Sequence, residues 1–126
     1  MSKQVFLSTE LAAPVGPFSQ AIKSDGHIFF SGQVGQDPAT GKLVPGGLEA
    51  ETERVFKNLN AVLAAAGKSF DDVLRVGVFL TKMSDFAALN SIYAKYFSQP
   101  YPARTTIAVA GLPLGASVEI DLIVQG

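Results

Sequence analysis

The sequence predicts a single α+β domain: one layer of β-sheet with two helices on one of its faces. Three observations carry this. Residues 48–66 and 85–97 repeat apolar side chains at helical spacing. Short apolar runs flank and separate them, giving the order strand, strand, strand, helix, strand, helix, strand, strand. The 126 residues contain no linker, low-complexity tract or charge block, so one core serves the whole chain.

Taken in order, residues 3–7 read as a short strand. Phe18 to Lys23 and His27 to Gly35 read as a hairpin across Asp25-Gly26, a dipeptide suited to a tight turn. Asp37 to Gly41 is a second turn, and Pro45-Gly46-Gly47 breaks the chain before the first helix. That helix spans Leu48 to Ala66, with Val55, Phe56, Leu59, Val62, Leu63 and Ala66 on one stripe. Glu49, Glu51 and Glu53 suit its N-terminal dipole, Glu53 and Lys57 form an i,i+4 pair on the wet face, and Gly67 fits the position just past its end. Ser69-Phe70-Asp71-Asp72 has the form of a capping turn. Arg75 to Thr81 is a strand. Ser84 caps a second helix, Asp85 to Phe97, with Phe86, Leu89, Ile92, Tyr93, Tyr96 and Phe97 inward. Ala103 to Ala110 and Ser117 to Gln125 complete the set.

Several of these strands carry bulk in both registers, as in Val76 to Leu80 and Thr106 to Leu112. Helices on one side leave a second apolar face to bury. Association with further copies of the chain buries it; a loop such as residues 8–17 folding over it is the alternative.

Composition removes whole classes of function. Ten basic residues against eleven acidic ones leave a net charge of −1, so nothing draws the chain to nucleic acid or to an anionic membrane. The absence of cysteine excludes disulfides, thiol catalysis and thiolate metal sites. A single histidine, His27, follows a turn and reads as an exposed structural residue; it argues against a histidine metal site or a serine–histidine triad. The N-terminal apolar run is too short for a secretion signal and no stretch approaches a membrane span, so a soluble cytoplasmic protein is expected.

Arg104 is the single charge between Phe97 and Val118. A guanidinium in apolar surroundings needs a partner, and its planar fork fits a carboxylate. Glu119 and Asp121, in the last strand, offer a structural ion pair; an anionic ligand offers a functional one. Gly32, between Ser31 and Gln33, marks either a bulge or the close approach of another backbone or a ligand.

Gly16-Pro17-Phe18-Ser19-Gln20-Ala21, Ser31-Gly32-Gln33, Phe86-Ala87-Ala88-Leu89-Asn90, Pro102-Ala103-Arg104, and Leu112-Pro113 followed by Val118-Glu119-Ile120 occur here in one order. In this the chain resembles the RidA (YjgF) family of reactive imine deaminases, from about residue 3 to residue 125. The resemblance implies a chorismate-mutase-like fold with a mixed six-stranded sheet, assembled as a homotrimer with sites between subunits. It implies hydrolysis of 2-imino acids such as 2-iminopropanoate and 2-iminobutanoate to 2-keto acids and ammonia, with no cofactor and no metal. Arg104 then falls on the carboxylate-binding arginine and Glu119 on the acid that handles water. Phe18, Ser31, Gly32, Asn90 and Thr106 fall on substrate-contacting positions. Two residues depart from the pattern: Phe18 stands where the family usually has tyrosine, and Thr106 where it often has cysteine. The implied partners are small 2-imino and 2-keto acids, with neither nucleic acid nor membrane. A keto-acid-sensing module without turnover, an RNA-cleaving or translation-inhibiting protein, and a chaperone are the rival readings.

Overall fold

Strands and helices alternate much as their periodicities predict. The structure is a computed structural model and describes residues 2–126. Its elements are β1 (Gln4–Phe6), β2 (Ala21–Ser24), β3 (His27–Gln33), α1 (Gly47–Ala65), β4 (Val73–Leu80), α2 (Phe86–Tyr93), β5 (Ala103–Ala108) and β6 (Val118–Gln125). The six strands form one sheet in the order β1-β2-β3-β6-β4-β5. All neighbours are antiparallel except β4 and β5, which α2 connects as a parallel crossover. The mixed six-stranded sheet with two helices is therefore as expected.

Local chemistry sets the boundaries. Asp25 takes φ 56 in the β2–β3 turn, a left-handed conformation that its short polar side chain tolerates. α1 ends where Gly67 turns to φ 71. The N–H of Lys68 then reaches Leu63 O at 2.8 Å and that of Gly67 reaches Ala64 O at 3.0 Å, which satisfies two terminal carbonyls. The predicted capping turn is present: Ser69 and Asp72 each accept the other's backbone N–H or that of its neighbour. Phe18 to Gln20, predicted as strand, lies in the loop before β2.

Three expectations fail for tertiary reasons. The second helix is short: Ser84 sits in a 3₁₀ turn, Met83–Asp85, without capping by its side chain, and α2 stops at Tyr93. Beyond it the N–H groups of Lys95 and Tyr96 bond carbonyls three residues back. That tightening lays Tyr96 flat on Phe56, with centroids 4.3 Å apart, and turns Phe97 into the core. Glu53 does not rest on Lys57 for its closest partners; it reaches across to the turn after α2, where Lys95 and the Tyr96 hydroxyl bind its two oxygens and hold its carboxyl below the ordinary value, with the Lys57 charge adding a weaker pull. And β5, whose apolar run reads from sequence as feeding a buried strand, is the sheet edge: among the described residues no strand pairs along its outer side.

Period two governs the two faces. On β6, Val118, Ile120, Leu122 and Val124 are buried under the helices with Val76, Val78 and Leu80 of β4 and the α1 stripe Val55, Phe56, Leu59, Val62 and Leu63. Glu119, Asp121 and Ile123 alternate to the other face. That face is open: Phe29 is 48% and Ile107 44% exposed, and the loop of residues 8–17 leaves both uncovered.

Candidate functional site

β5 presents Arg104 and Thr106 on the helix side of the sheet. Their β4 partners are the buried Val76 and Val78, which fixes that direction. Arg104 Nη1 donates to Asn90 Oδ1 at 2.7 Å. Its guanidinium carbon lies 4.6 Å from the Tyr93 ring centroid and 5.5 Å from that of Phe86. Phe86, Asn90 and Tyr93 are spaced i, i+4, i+7, so one stripe of α2 cradles the cation with two aromatic faces and one amide oxygen. Burial pushes the Tyr93 phenol above its ordinary value, and the nearby Arg104 charge works against that. Thr106, two residues along on the same face, has a buried hydroxyl without a hydrogen-bond partner among the described residues.

Glu119 belongs to the opposite face. It is aligned with Phe79 on β4, whereas Arg104 is aligned with Val76. Three residues along one strand is an odd step, so the two side chains leave the sheet on opposite sides. The structural ion pair of Arg104 with Glu119 or Asp121, one of the readings open from sequence, is therefore not formed within the chain; the sheet stands between the partners.

Around Glu119 the structure gathers Phe18 and Gly32 with Leu11, Pro113 and Leu114, at a cavity of about 310 Å³. β3 bulges between Phe30 and Gln33, and Gly32 sits in that irregularity. A Cβ at Gly32 would fall 2.0 Å from Glu119 Oε2, so the glycine is there because the glutamate side chain lies across it. The bulge reading of Gly32 holds; the close neighbour is the Glu119 side chain rather than another backbone or a ligand. Phe18 is 55% exposed, a free aromatic wall. Ser31 Oγ donates to Ser19 O at 2.6 Å and its N–H bonds Gln20 O at 3.0 Å, which ties the Phe18 loop to β3. Burial, and next the Asp121 carboxylate, raise the Glu119 carboxyl above its ordinary value. Asp121 is raised by burial too, against the pull of the Gly77 N–H and of Arg75.

The predicted residues thus separate into two groups. Arg104 and Thr106 on β5 lie with Asn90 of α2 on the helix side of the sheet edge; Phe18, Ser31, Gly32 and Glu119 lie together at the β3 bulge. Sequence reasoning missed Tyr93 and Phe86 as partners of Arg104, since their helical stripe reads equally as core. His27 is exposed beside Phe29, at the hairpin end of β3 where it pairs with Gln125 and away from both groups. Among the described residues no helix is long and apolar enough to cross a membrane.

Comparison with known proteins adds to this geometry. Residues 9–125 match the family model described as Endoribonuclease L-PSP. A mouse protein named 2-iminobutanoate/2-iminopropanoate deaminase is 46% identical over 98% of this chain and 93% of its own length. The crystal structure of RidA from the Antarctic bacterium Psychrobacter sp. PAMC 21119 superposes with a TM-score of 0.92 at 43% identity, covering 98% of this chain and 99% of that one. Escherichia coli TdcF with bound serine superposes at 0.90 with 29% identity, covering 98% of each. With the match spanning nearly every element that builds the two residue groups, the chain belongs to the Endoribonuclease L-PSP family, the YjgF/RidA family.

Proposed function

We propose that this chain is a deaminase that hydrolyses 2-imino acids to 2-keto acids and ammonia, at a site completed by two copies of the chain. One observation carries the reading: an oriented guanidinium and a partly desolvated carboxylate lie on opposite faces of one sheet, each beside an unfilled surface. When the β5 edge of one copy meets the open face of the next, Arg104 and Glu119 face each other across a cleft. Two different patches meeting head to tail close into a ring. Three copies is the number that the resemblance implies.

In that cleft the Arg104 fork holds the substrate carboxylate, its direction set by Asn90, Tyr93 and Phe86. Thr106 adds a polar contact beside it. The imine carbon is electrophilic without further activation. Glu119, whose carboxyl burial makes more basic than usual, takes a proton from water as the oxygen–carbon bond forms. Glu119 gives that proton to the nitrogen of the resulting carbinolamine. As the carbon–nitrogen bond then breaks it takes the remaining hydroxyl proton, so that the carbonyl forms, ammonia leaves as the keto acid is released, and the proton passes to ammonia or solvent. Holding the carboxylate and the water in one geometry supplies much of the rate. The names of the relatives, an imine deaminase in mouse and a structure with bound serine in Escherichia coli, support a small amino-acid-like ligand.

Complementation tests it. Arg104→Ala and Glu119→Gln should each be inactive alone. In mixed assemblies a site can draw Arg104 from one chain and Glu119 from the other, and random mixing should restore about a quarter of wild-type activity. Mixtures that assemble and stay inactive would refute the shared site. A wild type that binds 2-ketobutyrate without turning over a freshly generated imine would make the chain a binding module. Sedimentation equilibrium should report three chains.

A further inference from the structure

The segment before β6 contains a backbone anomaly that the chemistry above does not use. In the turn Pro113–Gly115, Leu114 has φ 63 and ψ 11, and Gly115 follows at φ 71. Glycine adopts this region freely; a leucine there sets its Cβ against the neighbouring carbonyl. Asp25 is the other non-glycine residue with positive φ among those described, and its hairpin turn explains it. No turn geometry requires a large apolar side chain at position 114. The strain also does not serve the core, since Leu114 is 58% exposed. What it does is place the isobutyl group on the wall of the cavity that holds Glu119 and Phe18, which Leu11 and Pro113 line as well. Strain at a cavity wall beside a perturbed carboxylate points to ligand recognition.

We infer that Leu114 is a specificity-determining residue: held left-handed, it forms with Phe18 and Leu11 the apolar wall against which the alkyl group of the imino acid packs, so that the site favours longer or branched aliphatic 2-imino acids over the methyl-bearing one. This rests on the deaminase reading. With the carboxylate on Arg104 and the imine carbon beside Glu119, the alkyl group is the remaining substituent of that carbon. The cavity beside Glu119 is mostly apolar and is large enough for more than a methyl group.

The test compares kcat/KM for 2-iminopropanoate and 4-methyl-2-iminopentanoate, each generated in situ, in the wild type, Leu114→Gly and Leu114→Asn. Glycine and asparagine both accept the left-handed backbone, so each variant should melt at or near the wild-type temperature. The wild type should prefer the branched imine. Both variants should lose roughly tenfold more in kcat/KM for it than for the small one, as expected when a pocket loses apolar contact with extra carbons. An unchanged substrate ratio overturns the assignment. So does equal loss on both substrates together with dissociation in sedimentation, which would make Leu114 an interface residue. A wild type inert toward both imines overturns the deaminase reading, and this inference with it; that outcome is distinct, because it appears before any substitution is made.

Discussion

Adding one methyl group at position 32 should disable catalysis and leave the fold nearly untouched. A Cβ built on Gly32 lies 2.0 Å from Glu119 Oε2, 2.8 Å from Cδ and 2.9 Å from Cγ. Carbon neighbours in folded proteins stay beyond 3.0 Å, so in Gly32→Ala the carboxylate oxygen must retreat by at least about 1 Å. The obstacle is the end of a flexible side chain rather than backbone. Turning it aside costs on the order of 1 kcal/mol, the scale of an off-rotamer torsion. For a base that must stay within hydrogen-bond reach of water, a displacement of about 1 Å is worth roughly 10²-fold in rate. Steady-state hydrolysis of 2-iminobutanoate should therefore fall by about two orders of magnitude, with the melting temperature within about 4 °C of wild type. Calorimetric titration with 2-ketobutyrate should change little, because the carboxylate rests on Arg104. Gly77→Ala is the companion variant: its Cβ would meet Asp121 Oδ1 at 2.2 Å, and it should keep most of the rate. Wild-type turnover by Gly32→Ala would refute the role of Glu119. A large loss of stability would show that Glu119 is locked by packing.

Glu119→Gln should bind 2-ketobutyrate and lose roughly 10²- to 10⁴-fold in rate; binding and rate falling together would leave Glu119 an orienting residue. Because the Glu119 carboxyl is raised and acts ionised, activity should be lost as pH falls through a value above the ordinary 4.5, and a kcat/KM profile flat down to that value would contradict the shift. Asn90→Ala removes the acceptor of the 2.7 Å bond from Arg104, and keto-acid binding should weaken about tenfold with kcat less affected; unchanged affinity would mean that Tyr93 and Phe86 suffice to orient the cation. Phe18→Tyr should fold normally, the ring being half exposed, and should change affinity or rate by no more than a new hydrogen bond allows, about 0.5–1.5 kcal/mol; severe destabilisation would contradict its exposure.

Much of this molecule is legible in its residues. The α1 stripe from Val55 to Leu63, the Gly67 stop, the Asp25 turn and the Ser69 capping box each follow from interactions within a few residues, and each stands where local chemistry puts it. Strand alternation, too, is local: Val118, Ile120, Leu122 and Val124 could only share a face, and Glu119 had to leave by the other. Arg104, alone among apolar neighbours, announced a need for a partner.

Which partner it meets was not local. Whether Arg104 and Glu119 share a side depends on the parity of two pairings, β5 with β4 and β4 with β6, and a shift of one residue in either would have put them together. That parity comes from packing contacts far apart in sequence. So does the early end of α2, where the aromatic cluster around Phe56 overrides a helical period that runs on to Phe97. The edge position of β5 depends on strand order alone, and the left-handed Leu114 on how the chain enters β6. The sequence by itself determined which face of its own element each of these residues occupies, because that follows from period and propensity. The tertiary structure decided which of them meet, because register, strand order and helix ends are set by long-range packing that no window of sequence contains.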